Sequence, residues 1–99
     1  MEADITISRL ADDKFLILTP AFTCTHIKAW LHDHTPADAC CVVTDMSSAW
    51  AMLNVQGPRA RHLLSSISTA KFDNEAFPYA TWQNVEIGFQ TALCMRLSY

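Results

Sequence analysis

The sequence predicts an α+β fold in which a strand–strand–helix unit occurs twice, with an antiparallel sheet and helices on one face. Stretches of period-two and helical apolar spacing follow one another in the same order twice, and Pro20 and Pro58 occupy matching places in the two copies. The chain has 99 residues, of which 51% are hydrophobic. That length suffices for one core but not for a barrel of eight repeats. We therefore expect residues 1–99 to form a single domain.

The first unit begins with a predicted hairpin. Residues 4–10 alternate between apolar and polar side chains, with Ile5, Ile7 and Leu10 expected on one face and Thr6 and Ser8 on the other. Residues 15–19 form a short apolar run of strand formers that a proline ends. The apolar spacing then becomes helical from residue 21 to about residue 34, where Thr35-Pro36 stops the predicted helix.

The second unit repeats this order. Residues 41–45 and 50–56 are predicted strands, separated by a short polar turn. Pro58 is predicted to be the first residue of the next helix, because the N–H that proline lacks has no partner at that position. Residues 59–67 carry apolar side chains at helical spacing.

The last fifteen residues show the longest alternating pattern. Apolar and polar residues alternate from Val85 to Tyr99, and a turn over residues 88–91 is expected to divide the run into a hairpin. The pattern continues into the final residue, whereas domain boundaries normally fall in polar linkers. We therefore expect the domain to be incomplete.

Composition excludes several classes of function. The net charge of −3 and the scattered Lys and Arg residues predict no nucleic-acid binding. The longest apolar stretches fall far short of the ~20 residues of a membrane helix, and no signal peptide is expected. The four cysteines lack a CxxC pair and are interpreted as reduced, mostly buried residues of an intracellular protein. They are Cys24, Cys40, Cys41 and Cys94.

The histidines and aromatic residues leave alternatives open. Four residues that could bind a metal lie near the C-terminal end of a predicted helix: His26, His32, Asp33 and His34. We favour a structural role at this helix end, where histidine is stabilised by the helix dipole, over a metal site. Six aromatic residues would suit a flat heterocycle site, although buried aromatic side chains more often form core. They are Trp30, Trp50, Trp82, Phe72, Phe77 and Tyr79. General catalytic motifs such as GxSxG, HExxH and a glycine-rich phosphate loop are absent.

Four segments, taken together, resemble a known family. They are residues 2–6 (EADIT), 53–59 (LNVQGPR), 74–79 (NEAFPY) and 95–99 (MRLSY). In this order they resemble the folate-binding domain of FAD-dependent sarcosine and dimethylglycine dehydrogenases, which is similar to the aminomethyltransferase of the glycine cleavage system. The regulatory subunit of pyruvate dehydrogenase phosphatase resembles the same group. The resemblance runs along essentially the whole chain and implies the N-terminal part of that domain.

The resemblance implies tetrahydrofolate as ligand and one-carbon transfer as reaction. The family captures a one-carbon unit released by methylamine oxidation and forms methylenetetrahydrofolate. Asp4 matches the family's acidic residue and is the implied catalytic and folate-binding carboxylate, since a carboxylate can orient the pterin amine and accept its proton. Tyr99 matches a tyrosine that opens the next folate-binding motif. The resemblance places FAD in an N-terminal module outside this chain.

Other features set limits on the implied function. Thr19-Pro20 departs from the Asn-Ala common in aminomethyltransferases, and the acidic residue and arginine expected after Tyr99 lie beyond the sequence. We expect the isolated chain to show no turnover. The alternative is a non-catalytic regulatory or interaction module that forms homo-oligomers through an open sheet edge and the apolar face of residues 85–99. The implied location is cytoplasmic in a bacterium and the mitochondrial matrix in a eukaryote.

Overall fold

The computed structural model describes residues 3–98 and has an α+β fold. These residues form two antiparallel two-stranded sheets and two α-helices, in the order β1 (Thr6–Ala11), β2 (Lys14–Leu18), α1 (Cys24–Asp33), α2 (Ala60–Ile67), β3 (Trp82–Ile87) and β4 (Gln90–Met95). Short 3-10 helices lie at Ala21–Thr23 and Ser47–Ala49. Within this described part no helix is long and apolar enough to cross a membrane. The chain divides into two compact units, Met1–Met52 and Leu53–Tyr99.

The first unit contains the predicted hairpin and helix. β1 pairs with β2 from Thr6 opposite Leu18 to Ala11 opposite Lys14, around a two-residue turn. The guanidinium of Arg9 bonds the Asp12 carboxylate across this turn at 2.9 Å. α1 follows the 3-10 helix directly, and its Ile27 is buried.

The half-buried face of β1 is the one that carries Thr6 and Ser8, and Leu10 lies on that face rather than with Ile5 and Ile7. Ile5 and Ile7 are exposed. Alternation fixes which residues share a face, and it does not fix which face is covered. This hairpin therefore presents an apolar face that no part of residues 3–98 buries.

The duplicated strand–strand–helix unit is not confirmed. Residues 41–45 and 50–56 form no hydrogen-bonded strand within the described chain, and every residue from 36 to 59 is exposed. The Asp45 carboxylate accepts a hydrogen bond from the Ser47 N–H at 3.0 Å and begins the 3-10 helix between these segments. A strand pattern in the sequence places apolar side chains on one face, but a strand also needs backbone hydrogen bonds to a neighbouring strand. No segment among residues 3–98 provides these bonds to residues 41–45 or 50–56.

The second unit has its core under the second hairpin. Phe72, Phe77 and Val85 are buried together, and the Phe72 and Phe77 ring centroids lie 6.2 Å apart. Partly buried side chains pack against them from α2, β3, β4 and the connecting segment: Leu64, Ala70, Ile87, Ala92 and Cys94. Val85 and its packed neighbours on β3 and β4 therefore use part of the apolar pattern over residues 85–99 for the core of this unit.

The turn between β3 and β4 is shorter than predicted. The predicted hairpin is confirmed, with Trp82 opposite Met95 and Ile87 opposite Gln90. Its turn contains only Gly88 and Phe89. Gly88 has φ +59°, the positive value that the first central residue of a type II′ turn requires.

α2 begins two residues later than predicted. Arg59 is its N-cap residue and Ala60 its first helical residue, so the prediction that Pro58 opens the helix is wrong. The chain instead turns at Gly57, where φ is +108°, and the Ala60 N–H bonds the Gly57 carbonyl at 3.1 Å. Pro58 therefore lies within the turn that precedes the helix.

Asp73 organises the loop that places Phe77 in the core. Its carboxylate oxygen Oδ1 accepts hydrogen bonds from the backbone N–H groups of Ala76 at 2.8 Å and Glu75 at 3.0 Å. Its carbonyl accepts the Phe77 N–H at 3.0 Å. The N–H groups of Ala76 and, to a smaller extent, Glu75 lower the pKa of the Asp73 carboxyl below its ordinary 3.8. The loop over residues 73–77 is thus fixed by one side chain.

Replacing Phe77 with alanine tests the core assignment. Phe77→Ala should lower the free energy of unfolding by about 3 kcal/mol, because it removes a buried ring from a small core. Phe89→Ala is the matched control, since Phe89 is 104% exposed and should change stability by less than about 0.5 kcal/mol. Urea denaturation followed by circular dichroism measures both. Equal losses would contradict the assignment.

Asp73→Ala should destabilise the protein in a pH-dependent way. A carboxyl whose pKa is lower in the folded chain contributes stability above its unfolded pKa and loses that contribution as the pH falls through its folded pKa. The stability gap between wild type and Asp73→Ala should therefore be present at neutral pH and shrink below pH 3.8. Denaturant titrations at neutral and acidic pH measure this gap, with the exposed Asp13→Ala as control. A gap that does not vary with pH would count against the proposed hydrogen bonds.

Candidate functional site

Asp4 lies just before β1 in the first unit. Its side chain is exposed, and its carboxylate makes no hydrogen bond or ion pair with any other residue from 3 to 98. It therefore caps no turn within this range. The carboxylate oxygens face solvent and can accept hydrogen bonds from a ligand.

Tyr99, the second candidate for folate binding, lies outside the described residues. Leu97 and Ser98, which precede it, follow the end of β4 and are exposed.

The histidines do not converge on a metal site. Among residues 3–98 no group of three or more His, Cys, Asp and Glu residues could hold a metal ion. His34 stacks on Trp30 with ring centroids 4.0 Å apart, and its Nδ1 lies 2.7 Å from the Trp30 carbonyl oxygen. His32 lies 3.5 Å from the Asp33 carboxylate on the exposed end of α1.

The cysteines are free thiols in two environments. Cys24 and Cys94 are half-buried, and burial raises the pKa of the Cys94 thiol. Cys40 and Cys41 are exposed, so the expectation that the cysteines are mostly buried is wrong for this adjacent pair. The pair belongs to the stretch over residues 36–59 in which every side chain is exposed.

The aromatic residues separate into core and surface. Phe72 and Phe77 belong to the core of the second unit, whereas Trp30, Trp50 and Tyr79 are exposed. The explanation of Phe72 and Phe77 as core residues is thus confirmed. Their rings are not available to a ligand.

Arg96 brings two of the four resemblance segments together. Its Nη1 donates to the Phe77 carbonyl oxygen, and its Nη2 donates to Asn74 Oδ1. The Arg96 backbone also extends the hairpin, because its N–H bonds the Thr81 carbonyl and its carbonyl accepts the Ala80 N–H. The end of β4 therefore holds the loop over residues 73–77.

Arg61 of α2 reaches the same loop. Its Nη1 donates to Asn74 Oδ1 at 3.0 Å, so two guanidinium groups bond one amide oxygen. Arg61 lies two residues beyond the segment LNVQGPR. Helix, loop and hairpin of the second unit thus meet at Asn74.

Sequence reasoning did not identify this meeting point. The sequence pattern assigns no role to Arg61 or Arg96, and it marks Asn74 only as part of the segment NEAFPY. The available signal was the presence of Asn74 and Arg96 in two of the matching segments. Sequence spacing could not predict the contact between Asn74 and Arg96, because they lie 22 positions apart and periodicity relates only residues within one helix or strand.

Comparison with known proteins agrees with the segment resemblance. The family described as GCVT N-terminal domain matches residues 1–99. The 4-methylaminobutanoate oxidase (formaldehyde-forming) of Paenarthrobacter nicotinovorans is 38% identical over 99 residues. The mitochondrial sarcosine dehydrogenase of Mus musculus is 33% identical over 112 residues, and the aminomethyltransferase of Herpetosiphon aurantiacus is 36% identical over 83 residues.

The match covers most of this chain and a small part of each relative. It includes 100%, 99% and 84% of the chain in the oxidase, the dehydrogenase and the aminomethyltransferase, and 12%, 12% and 23% of those proteins. No solved structure matches the chain significantly. Because the family match extends over residues 1–99, the chain belongs to the GCVT N-terminal domain family.

Proposed function

We propose that this chain is part of a tetrahydrofolate-dependent one-carbon transfer domain associated with sarcosine or dimethylglycine oxidation. The observation that carries the proposal is the family match over residues 1–99. The names of the relatives support it, since they include an oxidase of a methylamino compound, a sarcosine dehydrogenase and an aminomethyltransferase. In this proposal residues 1–99 form one incomplete domain.

The surroundings of Asp4 fit a contact to a pterin amine. Its carboxylate is exposed and has no competing partner among residues 3–98, so both oxygens can accept hydrogen bonds. The hairpin that follows Asp4 in the chain carries exposed Ile5, Ile7 and Phe15, the kind of surface on which a flat ring system can pack. An exposed carboxylate followed by a hairpin with exposed apolar side chains is a suitable partial site for a heterocycle with an N–H group.

Asp4 is proposed to act on the proton of the reacting amine. Tetrahydrofolate, when bound, supplies the amine nitrogen that takes up the one-carbon unit. That nitrogen loses a proton as its new bond to carbon forms, and a carboxylate within hydrogen-bond reach can accept it. The same hydrogen bond orients the amine before the reaction, so the Asp4 carboxylate would both position the amine and accept its proton.

Other parts of the site are proposed to come from outside the described residues. Tyr99 is proposed to contact the pterin, and FAD is proposed to bind a separate module of the longer polypeptide. The exposed apolar residues of the first hairpin and of residues 36–59 support completion by further chain, because water-exposed apolar surface of this extent is unfavourable. The chain alone is proposed to be inactive. In a eukaryote the proposed location is the mitochondrial matrix, and in a bacterium the cytoplasm.

A second candidate function is that of a non-catalytic module that associates with itself. It is supported by the two-stranded sheets, since each strand among residues 3–98 has one hydrogen-bonded neighbour and one open edge. An open edge can pair with the edge of another copy. Because Val85 is buried, the proposed self-association would use the open backbone edge of the β3–β4 hairpin rather than its apolar face.

Asp4→Asn tests the proposed folate contact. The test protein is a chimera in which residues 1–99 replace the matching segment of the Paenarthrobacter nicotinovorans oxidase. Asp4→Asn should weaken tetrahydrofolate binding by about tenfold or more, because it removes a charge-assisted hydrogen bond. Calorimetric titration measures the dissociation constants.

Asp13→Asn is the matched control, since Asp13 is an exposed aspartate of the turn between β1 and β2. Its chimera should bind as tightly as the unsubstituted one. The isolated 99-residue chain should show no micromolar binding. Equal affinity of the Asp4→Asn and Asp13→Asn chimeras would exclude Asp4 from the site.

Sedimentation equilibrium of the 99-residue chain tests the second candidate. Edge pairing predicts a dimer whose fraction grows with concentration, and Val42→Lys should leave it intact because Val42 lies in no strand. Loss of the dimer in Val42→Lys would assign association to the apolar segment instead. A monomer at every concentration would remove this candidate.

A further inference from the structure

The two arginines that meet at Asn74 form a concentration of positive charge. Arg61 Nη1 and Arg96 Nη2 both donate to Asn74 Oδ1, which places these nitrogens no more than about 6 Å apart. Guanidinium groups remain protonated at all physiological pH values. Two like charges at this distance repel each other, and a neutral amide oxygen does not compensate them.

No carboxylate among residues 3–98 neutralises this pair. Neither Arg61 nor Arg96 forms an ion pair within that range, and the other acceptors of Arg96 are the backbone carbonyls of Phe77 and Asp73. The Asp73 carboxylate accepts the backbone N–H groups of Glu75 and Ala76 instead. Residues 53–99 contain four Lys and Arg against three Asp and Glu, whereas residues 1–52 contain three against seven.

A role as a loop clamp accounts for Arg96 but not for Arg61. Arg96 uses both terminal nitrogens on the loop over residues 73–77. Arg61 is exposed, and Nη1 is its one nitrogen with a partner among the described residues. The planar guanidinium of Arg61 presents its remaining N–H donors in a geometry that suits a carboxylate or phosphate group.

We propose that Arg61, Asn74 and Arg96 form a surface binding site for an oxyanion, either a carboxylate or a phosphate group of a small ligand. Both guanidinium groups attract the anion, and the Asn74 amide nitrogen supplies a further donor beside them. The site lies in the second unit and uses neither Asp4 nor Tyr99, so it goes beyond the proposed one-carbon function. Its exposure predicts modest affinity that decreases with ionic strength.

Titration of the ¹⁵N-labelled 99-residue chain with inorganic phosphate, and separately with glutarate, tests the site. Saturable shifts of the Asn74 side-chain amide and of the Glu75 backbone amide are expected, with a dissociation constant in the millimolar range. Arg61→Gln should weaken binding about fivefold or more, the effect of removing one unit charge at about 4 Å in water. Arg59→Gln removes the same charge two residues away and should change affinity less than about twofold, since the charge it removes is more distant.

The two probes distinguish the source of the oxyanion. Saturation by glutarate alone assigns a carboxylate ligand, saturation by phosphate alone a phosphate ligand, and both outcomes support the site. Linear shifts without saturation for both probes, or equal weakening by Arg61→Gln and Arg59→Gln, would overturn it.

Arginine modification of the unsubstituted chain gives a second measurement that needs no variant. Phenylglyoxal should react with Arg61 more slowly in the presence of the saturating probe, in proportion to occupancy, and its reaction with Arg59 should stay unchanged. Peptide mass spectrometry quantifies each adduct. Equal rates at Arg61 with and without the probe would contradict the proposal.

Discussion

Burial of Phe77 against Phe72 and Val85 is the contact on which the second unit depends. It attaches the loop over residues 73–77 to the β3–β4 hairpin, and Asp73 gives that loop the turn that brings Phe77 inward. With the ring in place, Asn74 lies beside the end of β4, where Arg96 can bond it. Hydrophobic burial thus positions polar groups whose mutual hydrogen bonds would contribute little alone at an exposed surface.

The first unit shows the opposite condition, in which apolar faces have no cover within the described chain. Ile5 and Ile7 lie on the exposed face of the first hairpin, and Val42 is 89% exposed. Apolar surface of this kind is expected where another layer of a domain packs. Asp4 directly precedes Ile5 in the chain, so the proposed folate contact lies in the unit that carries this uncovered apolar surface.

The sequence predicted the locally determined elements well. Both hairpins and both helices occur near their predicted positions, because turn residues, a helix-stopping proline and apolar spacing act over a few neighbouring residues. Residues 41–45 and 50–56 are also predicted as strands from local pattern, yet they form no strand among the described residues. Their ladder depends on a partner that local pattern cannot supply. The meeting of Arg61, Asn74 and Arg96 was likewise beyond sequence reasoning, since their side chains come from α2, the loop over residues 73–77 and the end of β4 and converge only in the tertiary structure.

Asp4 is proposed to contact the amine of tetrahydrofolate in the completed domain. A crystal structure of the oxidase chimera carrying residues 1–99, with tetrahydrofolate bound, measures this contact directly. We expect an Asp4 carboxylate oxygen within about 2.6–3.2 Å of a pterin nitrogen, or bonded to it through one water. A bound pterin with the Asp4 carboxylate facing solvent, out of reach of any of its nitrogens, would contradict it.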